Sequence, residues 1–234
     1  MVHWPEVMVS YESSEKVLFS ADGFGRFGAV AKFDENADWA SEARRYYLNI
    51  VGKYGPQVQA VLKKAETLDI QMLLPLHGFV WREELGYLLG KYDLWSRYEP
   101  EVRGVMIAYA SVYGGTENAA NVLACRLAEQ GVQVKMFDVS VTPAPYVVSD
   151  AFKYSHLVFA SATYNMGIFV TMEDLLHDIA AHALADRRYA LIENGTWSPA
   201  SGKKMDALLS PLKGWSAVEP VLTVKSALRP DQAA

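Results

Sequence analysis

Apolar residues fall into two patterns along this chain. In the second half they come as short unbroken runs, Val105-Met106-Ile107-Ala108 (VMIA), His156–Ser161 (HLVFAS) and Tyr189–Glu193. Such runs mark strands buried on both faces. Between them, apolar residues recur at helical spacing, through Ala119, Val122, Leu123 and Leu127 to Gly131, then over Tyr146–Tyr154, Met172–Leu184 and Lys203–Leu212. Val132–Asp138 and Val218–Lys225 supply two more strands. Strand and helix alternate, which predicts an α/β fold with a doubly wound, parallel, five-stranded sheet.

The first half is less regular. Val7–Tyr11 and Val17–Ser20 alternate as two strands joined by a polar turn, Glu12–Lys16. From Asp38 to Leu68 the period is helical, broken near Gly55-Pro56, so two helices are expected. Ile70–Leu74 is a short strand and Trp81–Tyr98 an aromatic-rich helix. Glu99-Pro100-Glu101 reads as a linker, which divides the chain into domains 1–101 and 102–234.

Composition narrows the class. Of 234 residues 51% are apolar and the formal charge is −5, so no general basic field exists for nucleic acid. No apolar run reaches membrane-spanning length, and Met1-Val2-His3-Trp4-Pro5-Glu6 is not a signal peptide. The single cysteine, Cys125, excludes an internal disulfide and agrees with a reducing compartment. These features predict a soluble cytoplasmic protein with neither nucleic acid nor membrane as partner. Cys125 is expected to be a buried small hydrophobe within a helix.

Candidate chemistry lies where the strands end. The stretch Ser111-Val112-Tyr113-Gly114-Gly115-Thr116 joins a buried strand to a helix, so amide N–H groups and a helix N-terminus converge there on one anion. It has no lysine, unlike the GxxxxGK[ST] loop, and lacks GxGxxG spacing. Hydroxyls and amides suit one terminal phosphate monoester. An ordinary turn with Thr116 as N-cap fits equally well. Two further loops leave the same sheet edge. One contributes Ala162, Thr163, Tyr164, Asn165 and Gly167, the other Asn194, Gly195, Thr196 and Trp197. A phosphate nest flanked by loops bearing Tyr164 and Trp197 is what flavin mononucleotide (FMN) needs. In the first half, His3, Asp22 and His77 each stand at a strand edge and are potential metal ligands, although none lies in an HxH or HExxH pattern.

These stretches carry a resemblance. Ser111–Thr116 (SVYGGT), Ser161–Gly167 (SATYNMG) and the loop with Trp197 resemble the three FMN-binding loops of flavodoxins, most closely the flavodoxin module of flavodiiron proteins. His3-Trp4-Pro5-Glu6 (HWPE), Leu18–Gly25 (LFSADGFG) and Pro75–Arg82 (PLHGFVWR) resemble late motifs of that family's metallo-β-lactamase-like domain. The resemblance implies a flavodoxin-like domain at 102–234, its last helix missing, preceded by a partial metallo-β-lactamase-like domain at 1–101. It implies FMN as cofactor and His3, Asp22 and His77 as three iron ligands, Asp22 at the bridging position. The family's first ligand motif, HxExDH, is absent, so iron binding is expected to be incomplete and the chain resembles an internal piece of a flavodiiron protein. Three functions follow: an FMN-binding electron-transfer flavoprotein, an oxygen or nitric oxide reductase whose diiron site another chain completes, or a non-catalytic remnant. A redox partner such as rubredoxin or a flavin reductase, and a homo-oligomer, are the implied partners.

Overall fold

The computed structural model describes residues 7–28 and 39–232. The chain divides into two compact units, Met1–Glu99 and Pro100–Ala234.

In the first unit β1 (Ser10–Glu12) pairs antiparallel with β2 (Val17–Ala21), which pairs parallel with β3 (Met72–Pro75). Helices α1 (Trp39–Val51), α2 (Gly55–Ala65) and α3 (Leu85–Ser96) complete the unit, with a 3-10 turn at Gly52–Tyr54. The break near Gly55-Pro56 is where the pattern placed it, since Pro56 lacks the N–H a continuous helix needs. The aromatic helix starts later than its periodicity predicts. Trp81 is held extended by reciprocal backbone bonds with Leu73, both 2.9 Å, and Glu84 sits at φ +54°. A left-handed residue cannot continue a right-handed helix upstream.

The second unit is a five-stranded parallel sheet with two short additions. Its strands are β4 (Val102–Ala110), β5 (Val134–Asp138), β6 (Tyr154–Tyr164), β8 (Arg188–Asn194) and β10 (Leu222–Val224), in the order β10-β8-β6-β4-β5. A hairpin strand, β7 (Gly167–Ile168), adds antiparallel to β6, and β9 (Ser216–Ala217) adds parallel to β8. The expected strand Val218–Lys225 is therefore shortened to β10, with β9 lying just before it. Pro220 has no N–H for a ladder, and the chain leaves the sheet there.

Helices α4 (Gly115–Glu129), α5 (Ala144–Lys153), α6 (Val170–Ala181) and α7 (Ser201–Leu209) make the crossovers. Ala119 and Ala120 of α4 pack with Val105, Ile107, Val158, Ala160, Ile192 and Val224. Small residues on α4 let the helix lie close over the branched side chains below. The alternate residues Met106, Ala108, Leu157, Phe159 and Leu191 are equally buried on the opposite face. Both faces are dry, and this is why the runs are unbroken. Cys125 departs from expectation: it is exposed. The buried stripe of α4 runs through Thr116, Ala119 and Ala120, and Cys125 falls off that stripe.

Arg187 is 1% exposed. Its Nε donates to the Ala151 carbonyl at 3.2 Å and Nη2 to that of Phe152 at 2.6 Å, while Nη1 reaches the Ala185 carbonyl at 3.0 Å. Ala151 and Phe152 lie in the last turn of α5, where carbonyls lack helical partners, so a buried cation caps the negative helix end. Burial pushes the guanidinium down to about 10, which leaves it charged at neutral pH. Arg187→Leu is expected to destabilise the chain by about 3 kcal/mol, since several buried carbonyls lose their donor at once. Urea unfolding of the two proteins measures this.

Candidate functional site

The strand order reverses at β4: the chain steps out to β5, then returns to β6 on the other side. The loops at the carboxyl ends of β4 and β6 must part there, which leaves a crevice. A cleft of ≈ 780 Å³ lies at that edge, lined by the loops after β4, β6, β8 and β10. Its volume falls within the range of small-molecule sites, about 300–1,000 Å³. No charged side chain is among its lining residues.

The loop after β4 is shaped by its own atoms. Ser111 Oγ accepts the Gly114 N–H at 3.1 Å, Gly114 adopts φ +83° as the N-cap, and α4 begins at Gly115. Thr116 is therefore the second helical residue rather than the N-cap, and it is 1% exposed. The first intrahelical bond runs from the Asn118 N–H to the Gly114 carbonyl at 2.8 Å. The N–H groups of Val112, Tyr113, Gly115, Thr116 and Glu117 have no protein acceptor among the described residues. Orphan donors at the positive end of a fifteen-residue helix form a ready anion site.

The loop after β6 turns through Asn165 (φ +48°) and Met166 (φ +59°) into β7, a two-residue turn of the primed kind that matches strand twist. It presents Tyr164 and Met166, 47% and 58% exposed, to the cleft. Thr163 lines the cleft, but its Oγ1 is engaged elsewhere, accepting the N–H groups of Ala200 at 3.0 Å and Ser201 at 3.3 Å. It thus caps α7, whose N-cap Ala200 has no oxygen to offer. Glu193 assists, Oε2 accepting the Gly202 N–H at 2.9 Å. Thr163→Val, nearly isosteric, should lower stability by about 1 kcal/mol through loss of that cap, as read from the urea midpoint.

The third loop carries Trp197, 87% exposed. Asn194 is nearly buried and pairs twice with one backbone position: Nδ2 donates to the Ser226 carbonyl at 3.1 Å, and Oδ1 accepts the Ser226 N–H at 2.9 Å. It holds Ser226 and Ala227 against the cleft, a fourth wall that the sequence reading did not include. The signal existed, because the last parallel strand ends at the same edge as the others. Met166 and Ser198 also join the lining, whereas Gly114, Asn165 and Gly167 shape turns rather than line the cleft.

In the first unit β2 and β3 are parallel neighbours with Ala21 opposite Pro75, so the residues that follow them meet. His77 Nε2 lies 3.1 Å from Asp22 Oδ1. Tyr46 is hydrogen-bonded to Asp22, and its phenol is pushed up to about 12, by burial first and then by that carboxylate. His3 lies outside the described residues. Among the described residues no three His, Cys, Asp or Glu side chains gather as a metal site. Asp22 and His77 supply two donors, fewer than the three protein ligands that open metal sites use.

Residues 107–233 match the Flavodoxin family model. A nitric oxide reductase of Moorella thermoacetica is 27% identical over 231 residues, 96% of this chain and 58% of that protein. The rubredoxin oxygen:oxidoreductase of Desulfovibrio gigas superposes with TM-score 0.90 at 26% identity, covering all of this chain and 60% of that one. A flavodiiron protein of Giardia intestinalis shares the fold, with TM-score 0.88 at 23% identity, covering 99% of this chain and 58% of that one. The chain spans about half the length of the curated relatives it matches.

Proposed function

From the premise that this chain belongs to the flavodoxin family and is related to flavodiiron proteins, we propose that its second unit binds FMN and serves as an electron-transfer flavoprotein of the flavodiiron type. The observation that carries this reading is the meeting of orphan amides, hydroxyls and exposed aromatics in one uncharged cleft. The residues fit the group. Val112, Tyr113, Gly115 and Thr116 would hold the phosphate through backbone N–H groups, with the Ser111 and Thr116 hydroxyls beside them. A dianion with no cation nearby is stabilised there by the helix N-terminus and by charge-assisted hydrogen bonds. Tyr164 and Trp197 would flank the isoalloxazine ring, since large exposed aromatics facing a cleft offer stacking area at little entropic cost.

When bound, FMN supplies one- and two-electron redox chemistry. The chain's own part is to anchor the phosphate, fix the ring and exclude water from one side of it. Aromatic neighbours in a drier site disfavour added negative charge on the ring, which tunes its potential. A rubredoxin or a flavin reductase would be the electron donor; the likeness to the rubredoxin oxygen:oxidoreductase of Desulfovibrio gigas supports the first. A homo-oligomer in the cytoplasm is its setting; no helix among the described residues is long and apolar enough to cross a membrane.

A second reading rests on the Asp22–His77 pair: a reductase of oxygen or nitric oxide whose iron site is completed by further ligands. Two donors do not hold a diiron centre, so no step is assigned to it. Flavin and iron assays on the purified chain separate the readings. Equimolar flavin with little iron supports electron transfer, and flavin with diiron stoichiometry supports the reductase. A colourless chain that cannot be reconstituted overturns both.

A further inference from the structure

The fourth wall of the cleft is a strained turn. β10 ends at Val224, which stands opposite Asn194 of β8. Just beyond it the Ala227 N–H donates to the Lys225 carbonyl at 3.0 Å, and Ser226 between them sits at φ +73°. A hydrogen bond closed around one central residue at that φ is the γ-turn of the rare, strained hand. Glycine adopts such a φ freely, whereas Ser226 carries a Cβ through it. Strain of this kind persists only where the surroundings over-determine it. Asn194 does so here, its Nδ2 donating to the Ser226 carbonyl at 3.1 Å and its Oδ1 accepting the Ser226 N–H at 2.9 Å.

The clamp occupies both backbone polar groups of Ser226 and leaves its side chain. The hydroxyl makes no hydrogen bond to a described residue, and Ser226 lines the cleft. The turn is pressed against the anion end. Its carbonyl oxygen stands 2.0 Å from where a Cβ on Gly115 would lie, and the Gly115 N–H is one of the orphan donors of the nest. A bare carbonyl oxygen there would repel an anion, but the Asn194 amide donates to it. A turn needed only for its shape is met by glycine, as at Gly114, φ +83°, in the loop after β4. Serine adds to that shape a hydroxyl donor.

We infer that Ser226 is a phosphate-binding residue of this cleft, a contact from outside the three loops: Asn194 holds the strained turn so that the Ser226 hydroxyl donates to an oxygen of the terminal phosphate monoester. The inference rests on the flavin reading and adds to it a residue that recognises the phosphate from the β10 side. With no charged side chain in the lining, the dianion depends on neutral donors, and each one makes a charge-assisted hydrogen bond to it.

The test titrates the unsubstituted chain, Ser226→Ala and Ser226→Gly with FMN and with riboflavin, alongside urea unfolding. Ser226→Ala keeps the Cβ and removes only the hydroxyl; Ser226→Gly removes the strain as well. Both should bind FMN about tenfold more weakly, the loss of one charge-assisted hydrogen bond, and bind riboflavin as the unsubstituted chain does. The phosphorus NMR resonance of bound FMN should move in both. Ser226→Gly should unfold at a urea concentration no lower than the unsubstituted chain, which separates a lost contact from a loosened fold. Unchanged FMN affinity and phosphorus resonance in both variants, beside an unsubstituted chain that binds FMN, overturn the role of Ser226 and leave the flavin reading standing. Equal losses for FMN and riboflavin overturn the phosphate contact by placing the hydroxyl elsewhere on the flavin. No FMN binding by the unsubstituted chain overturns the flavin reading, and this inference with it.

Discussion

Replacing Gly115 by alanine is expected to destabilise the chain by about 2–3 kcal/mol and to weaken FMN binding more than tenfold. A Cβ at this position would lie 2.0 Å from the Ser226 carbonyl oxygen and 3.1 Å from Asn194 Nδ2. The first neighbour is backbone, and Asn194 clamps it on both sides, so it cannot turn away as a flexible side chain would. Either the first turn of α4 lifts or the Ser226 segment retreats, at a cost typical of overpacking, about 1–3 kcal/mol. Both shifts open the cleft at the anion end. Gly114→Ala separates space from conformation: its Cβ meets nothing within 4 Å, but its φ is +83°. It should cost about 1–2 kcal/mol, the penalty of a left-handed alanine, and leave the wall at Ser226 in place. Urea unfolding and flavin titration of both variants check the pair.

The second large effect is expected at Thr116. Thr116→Val keeps the shape of a side chain that is 1% exposed and removes only its hydroxyl. Charge-assisted hydrogen bonds contribute roughly 1.5–3 kcal/mol each, so FMN affinity should fall about tenfold or more. Ser111→Ala should act by a different route, because Ser111 Oγ accepts the Gly114 N–H and its loss loosens the loop. Flavin fluorescence titrations of the two variants, with unfolding curves beside them, distinguish a missing contact from a loosened nest. Unchanged affinity in both would remove the assignment of the phosphate to this loop.

What the residues announced in advance was the frame. VMIA and HLVFAS are apolar without alternation because helices cover both faces of β4 and β6, a long-range arrangement that leaves a local pattern. The three loops were legible because parallel strands deliver their carboxyl ends to one edge. Side-chain purposes were less legible. Thr163 and Asn194, expected as flavin contacts, line the cleft; what no pattern announced is that the Thr163 hydroxyl also serves the N-terminus of α7 and the Asn194 amide Ser226, thirty-two residues on. Such pairings have no periodicity to betray them. The capping role of Arg187 is equally silent, since the α5 carbonyls it caps lie more than thirty residues upstream. The start of α3 was misplaced because one backbone bridge, from Trp81 to Leu73, overrides a helical pattern.

The proposed function requires a cleft built around a phosphate on a flavin. Titrating the flavin-free chain with FMN and, in parallel, with riboflavin tests it most directly, because the two ligands differ only in the phosphate. The nest of orphan amides predicts one FMN bound per chain, and riboflavin weaker by at least about a hundredfold, the loss of two charge-assisted hydrogen bonds. Equal affinities for the two flavins, or no binding of either, would contradict the claim.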